Sequence, residues 1–85
     1  MHGLTRAKKI KILKLHGDNC FYCGTKLIKY WKADHVLPKS KGGTDALKNL
    51  VPSCSGCNAS KLDLTINEWI TMMKTILNRF EHEHS

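Results

Sequence analysis

Apolar residues recur along this chain with two different periods, and the change between them divides it into elements. From residue 66 onward Ile66, Trp69, Ile70, Met73, Leu77 and Phe80 fall at three- and four-residue intervals. That is the spacing of one helix face, so a helix over about 66–80 is predicted, with the stripe turned to the core. Thr65 and Glu68 stand where a capping box would open it. At the other end, residues 5–15 (TRAKKIKILKL) join strong helix formers to apolar Ile10 and Leu13, with Ile12 beside them. Gly17 follows where a helix stops, which predicts a short basic helix. Residues 27–36 carry Ile28, Tyr30, Trp31 and Val36 among lysines, a β-leaning run that predicts a strand. Residues 38–45 (PKSKGGTD) have loop chemistry, residues 47–51 read as a second short strand, and residues 58–61 read as a helix start. The order of elements predicts a small α+β fold.

Length changes this picture by asking what holds it together. At 85 residues and 9.6 kDa the chain makes one domain, residues 1–85, too small to be comfortably stable on packing alone. The cysteines come in two pairs, Cys20/Cys23 and Cys54/Cys57. The basic start, residues 1–15, has its apolar run broken by Lys11 and Lys14, so no secretory leader is read there and a reducing, intracellular setting is expected. In that setting two C-x-x-C pairs read as four thiolates around one structural zinc, rather than as disulfides. Gly24 lets the first pair turn tightly toward an ion.

Charge adds a partner class. Lys and Arg number 14 against 7 acidic residues, for a net charge of +7 and a pI of about 9.4. Counterion release gives such a chain affinity for DNA or RNA, although plain solubility explains the same excess. No apolar run approaches bilayer-spanning length, so no membrane role is expected.

The stretch between the cysteine pairs is longer than a minimal zinc ribbon needs, and it holds the polar residues of interest. They are Asp34-His35, Pro38, Ser40, Gly42-Gly43, Asn49-Leu50, then Asn58 and Lys61 around the second pair. A lone histidine is more often structural than catalytic, and an isolated asparagine carries no signal; only their joint spacing does. The string DHVLPKSKGGTDALKNLVPSCSGCNASK resembles the HNH endonuclease motif, in the variant marked by Asp-His, Asn-Leu and C-x-x-C-N-x-x-K. With the first cysteine pair the resemblance covers residues 20–61, about half the chain.

The resemblance implies a ββα-metal (His-Me finger) core, stapled by a four-cysteine zinc site and flanked by the two helices. It implies His35 as general base, Asp34 and Asn58 as ligands of a catalytic metal, and Asn49 as the middle residue of the motif. The motif's final histidine is Asn58 here, a change the family accepts. A carboxylate with an amide oxygen suits a hard cation, magnesium or manganese. A histidine's reference pKa of about 6.5 leaves it mostly neutral at pH 7, able to take a proton from water. DNA is the implied partner, with 5′-phosphate and 3′-hydroxyl ends as products, in the cytoplasm of a bacterial or phage-infected cell. Lys61, Lys39 and Lys41 are candidates for phosphate contact, against the alternative of ordinary surface charge.

Neighbouring strand residues point to opposite faces, so bringing Asp34 and His35 to one site predicts a bend or bulge near His35, fixed by Asn49. Trp31 is read as packed over the core rather than stacked on a base. His2, His16 and the tail, residues 81–85, are given no function. Two other readings stand beside the nuclease. One is a non-catalytic zinc module that binds nucleic acid through its basic surface. The other is a subunit lending nuclease chemistry to a larger phage or restriction assembly.

Overall fold

The computed structural model describes residues 4–84, with residues 83 and 84 described by backbone alone. His2 lies outside the described residues. The elements are α1 (Arg6–Leu15), β1 (Lys32–His35), β2 (Leu50–Ser53), α2 (Ser55–Lys61) and α3 (Ile66–His84). β1 and β2 form an antiparallel ribbon in which Lys32 faces Ser53, Ala33 faces Pro52, Asp34 faces Val51 and His35 faces Leu50. α1 packs on β2 and α2 on β1. The core they enclose is small: Ile12, Cys20, Leu27, Leu50, Val51 and Trp69.

Local chemistry explains where most elements begin. Thr5 caps α1 by accepting from the Lys8 amide at 3.1 Å. Ile12 is the fully buried residue of that helix, while Ile10, expected on its inner face, is half exposed. The predicted capping box of α3 forms in both directions: the Glu68 amide donates to Thr65 Oγ1 at 3.1 Å, and the Thr65 amide donates to Glu68 Oε1 at 2.9 Å. Trp31 is half-buried with Lys9 Nζ 5.4 Å from its ring centre.

Three expectations need correction. The first strand is confined to Lys32–His35, because Tyr30 sits at φ 64°, a left-handed turn that breaks any ladder running from residue 27. The second strand starts later than residue 47, since residues 47–49 form a 3₁₀ turn. The third concerns α3. It runs to His84, past the expected end near 80, and its stripe does not cover the core. Trp69 is buried and Ile66 half-buried, but Ile70, Met73, Ile76, Leu77 and Phe80 are 39 to 59% exposed. A 19-residue helix outruns a core this small, and the molecule is accordingly long, 48 × 29 × 19 Å.

The loop from β1 to β2 is closed by Asn49. Its side-chain oxygen accepts from the Leu37 amide at 2.9 Å, and its Nδ2 donates to the Leu37 and Thr44 carbonyls at 3.0 and 2.9 Å. Gly42, at φ 97°, turns the chain, and Gly43 packs so closely that a Cβ there would collide with the Leu37 carbonyl. Gly43→Ala is therefore expected to force the loop off Asn49 and destabilise the fold by about 1–3 kcal/mol, read as a lower denaturation midpoint.

Candidate active site and metal centre

The cysteine pairs meet as their spacing predicts. The four Sγ atoms lie within 4.8 Å of one another. Cys23 and Cys54 Sγ are 3.8 Å apart. Two metal–sulfur bonds of about 2.3 Å at a tetrahedral angle put their sulfurs about 3.8 Å apart, so the cluster fits a tetrahedral ion. Burial opposes ionisation of Cys20, but amide donors from Cys23 and Cys54 outweigh it and hold its thiol at about 6. Cys54 also caps α2, its sulfur accepting from the Cys57 amide at 3.4 Å. This cap starts α2 at Ser55 rather than near residue 58.

Beside this cluster, at the end of β1, lies an open pocket of about 300 Å³. Asp34, His35, Lys39, Ser40, Asn58 and Asp63 line it. β1 supplies the first two, the loop the next two and α2 supplies Asn58. Of the expected bend or bulge near His35, the bend is present, at Val36 and Leu37, and the bulge is not, since strand pairing runs without interruption through His35. The two neighbours reach one pocket instead because His35 ends the strand, after which the chain turns away under Asn49.

Asp34 is only 6% exposed and is held from three sides. The Tyr22 hydroxyl donates to its Oδ2 at 2.5 Å, and Lys61 Nζ lies 3.3 Å from the same oxygen. Asn58 Nδ2 is 3.5 Å from Oδ1. Burial, then the hydrogen bond to Asp34, pushes the Tyr22 phenol well above its ordinary range, so it stays a donor. His35 Nε2 lies 2.8 Å from Asp45 Oδ1, and Lys39 Nζ 3.0 Å from Asp45 Oδ2. Hydrogen bonds from His35 and Lys39 hold the Asp45 carboxyl at about 2, which makes it an acceptor. Against the Asp45 carboxylate, an acceptor only, Nε2 of His35 serves as the donor, and in the neutral ring Nδ1 is then the acceptor.

All three lysines expected at phosphate have partners within the chain, Lys39 and Lys41 in exposed ion pairs with Asp45 and Glu68 and Lys61 in a buried one with Asp34. Lys61 is fully buried, donating to the His35 carbonyl at 3.0 Å beside Asp34. A buried ammonium between a carboxylate and a carbonyl has no path to a substrate phosphate; its role is internal. Lys41 Nζ is bound to Glu68 Oε1 at 2.7 Å and to the Asp63 carbonyl at 2.8 Å. Lys39 does line the pocket. Tyr22 and Asp45 escaped the sequence reading. The residue between two cysteines gives no hint of a distant carboxylate, and an aspartate in PKSKGGTD reads as turn chemistry.

An antiparallel ribbon and a following helix around a carboxylate, an imidazole and an amide, with four thiols clustered behind, make a small α+β metal-site fold of the ββα type. Residues 20–63 match the HNH endonuclease family model, and the chain belongs to that family. It is 27% identical to YoqL, an SPbeta prophage-derived protein of Bacillus subtilis (strain 168) that carries the HNH endonuclease name. That match covers 96% of this chain and 45% of YoqL. It is 33% identical to the CRISPR-associated endonuclease Cas9 of Actinomyces naeslundii over 72% of this chain and 6% of Cas9. To the Septu protein PtuB of Bacillus thuringiensis it is 34% identical, over 62% of this chain and 23% of PtuB. Among solved structures it resembles the type II-C Cas9 enzyme from Actinomyces naeslundii, with a TM-score of 0.66 and 30% identity, covering 80% of this chain and 7% of that one. The chain thus spans less than half the length of each of these relatives. Among the described residues no helix is long and apolar enough to cross a membrane.

Proposed function

We propose that the chain is a metal-dependent DNA endonuclease that hydrolyses phosphodiester bonds, with His35 as general base. The observation that carries this reading is the shared pocket of Asp34, His35 and Asn58, in which one histidine nitrogen is engaged by an ionised Asp45. Asp34 and Asn58 line one pocket and bring a carboxylate and an amide to it, donors whose oxygens suit a hard divalent cation, magnesium or manganese. Such a cation, held by Asp34 and Asn58, would supply charge stabilisation to the phosphate and the departing oxygen. The rest belongs to the chain. His35 Nδ1 takes a proton from the attacking water, and Asp45 holds the ring in the tautomer that leaves Nδ1 free to do so. In-line attack expels the 3′ oxygen, giving 5′-phosphate and 3′-hydroxyl ends. Asn49 keeps the loop folded beneath the histidine, and Lys39 meets substrate phosphate.

Four thiols at tetrahedral separation favour zinc at the structural site, in a reducing cytoplasm of a bacterial or phage-infected cell. Work inside a larger assembly is a second reading, favoured by one fact: the matching region is 6% of the Cas9 chain. Supercoiled plasmid mixed with zinc-loaded protein is expected to be nicked or linearised once magnesium or manganese is added, and to stay intact without them. Plasmid that is bound but uncut under every divalent metal would return the chain to a non-catalytic nucleic-acid-binding module.

A further inference from the structure

We infer that Tyr22 is a positioning residue for the metal-binding carboxylate: its hydroxyl, with Lys61, pins Asp34 Oδ2 so that Oδ1 alone is presented to the divalent cation. The inference rests on the reading of Asp34 as a metal ligand. A carboxylate offers two equivalent oxygens, and one that is free to turn exchanges them at the metal. Here they are made unequal. Oδ2 receives the Tyr22 hydroxyl at 2.5 Å and has Lys61 Nζ at 3.3 Å, while Oδ1 has the longer 3.5 Å contact from Nδ2 of Asn58, the other proposed ligand.

Tyr22 is itself held firmly. It lies between Cys20 and Cys23, and its ring meets Trp69 edge-to-face at 5.0 Å and Phe21 at 5.2 Å. Trp69 in turn donates through Nε1 to Ser60 Oγ on α2 at 3.0 Å. The first cysteine pair and α3, itself tied to α2, therefore hold the Tyr22 ring whose hydroxyl meets Asp34. Packing alone would be served by phenylalanine; the hydroxyl is useful in that setting only because it is bonded. Lys61 completes the clamp by donating to the His35 carbonyl at 3.0 Å, which ties the proposed base to the same frame.

Partners that orient a metal ligand typically change metal affinity by about 10–100-fold when removed. The test is manganese binding by electron paramagnetic resonance to His35→Ala protein on duplex DNA, where the DNA stays intact, with and without Tyr22→Phe. Tyr22→Phe is expected to keep its zinc and its DNA affinity and to weaken manganese binding by about 10–100-fold. In protein retaining His35 it should raise the metal needed for half-maximal cleavage by a similar factor, with activity recovered at high metal. Unchanged manganese affinity in folded Tyr22→Phe overturns the inference while leaving Asp34 as a ligand. If His35→Ala protein on DNA binds no manganese at all, the reading of Asp34 fails and the inference falls with it. Should Tyr22→Phe shed its zinc, the reciprocal measurement decides. The Tyr22 ¹³Cζ resonance is expected to move in Asp34→Asn while that of Tyr30, which is exposed, does not; a Tyr22 resonance that stays put overturns the inference.

Discussion

His35→Ala is expected to cut the rate of plasmid nicking by about 10²–10⁴-fold, the range that a positioned general base contributes. The fold should survive. The His35 side chain is 29% exposed and its ring bonds Asp45 Oδ1, whereas its carbonyl, the acceptor for Lys61, remains in alanine. Zinc content and thermal unfolding are thus expected to match the parent, and DNA affinity to change little. The variant separates chemistry from binding. A His35→Ala protein cutting within a few-fold of the parent would mean that another group takes the proton. Asp45, whose carboxyl is held at about 2 by its hydrogen bonds to His35 and Lys39, is a poor base.

Removing the structural metal should have the larger physical effect. Among the described residues the buried core is confined to Ile12, Leu27, Leu50, Val51 and Trp69 with Cys20 itself, beside Pro52. Structural zinc contributes apparent folding free energies of about 10–16 kcal/mol in small domains, comparable to the whole stability of an ordinary one. A strong zinc chelator, or Cys54→Ser, is therefore expected to abolish the cooperative thermal transition and most helical circular dichroism, and to restore both when zinc is returned to the chelated parent. Cys54→Ser loses a ligand sulfur, although serine can still cap α2. A chelated protein with an unchanged melting transition would show that the core suffices without metal.

Each cysteine pair and the α3 capping box were legible in sequence because each is written in short-range spacing, while Asn49 was legible through the family motif. C-x-x-C fixes two sulfurs within one turn, and Thr65 and Glu68 bond across three residues. The Asp34, His35 and Asn58 set was legible through the family motif and is brought to one pocket by the fold. What escaped depends on contacts between distant residues. Lys61 reads as surface charge until Asp34, far back in the chain, is seen beside it. Periodicity said which side of α3 is apolar, but not whether enough protein exists to cover it. Burial beyond Trp69 needed a wider core than two four-residue strands can build.

Asn58 follows Cys57 within α2, a helix of seven residues, and that adjacency has a geometric meaning. Each helical residue turns the chain by about 100°, so a residue inserted between Cys57 and Asn58 would swing the amide about a quarter-turn off the carboxylate. An ion held by the four thiols would thereby set the rotational phase of the helix. Substitutions around the site can adjust its chemistry freely, but the count of residues from thiol to amide cannot drift.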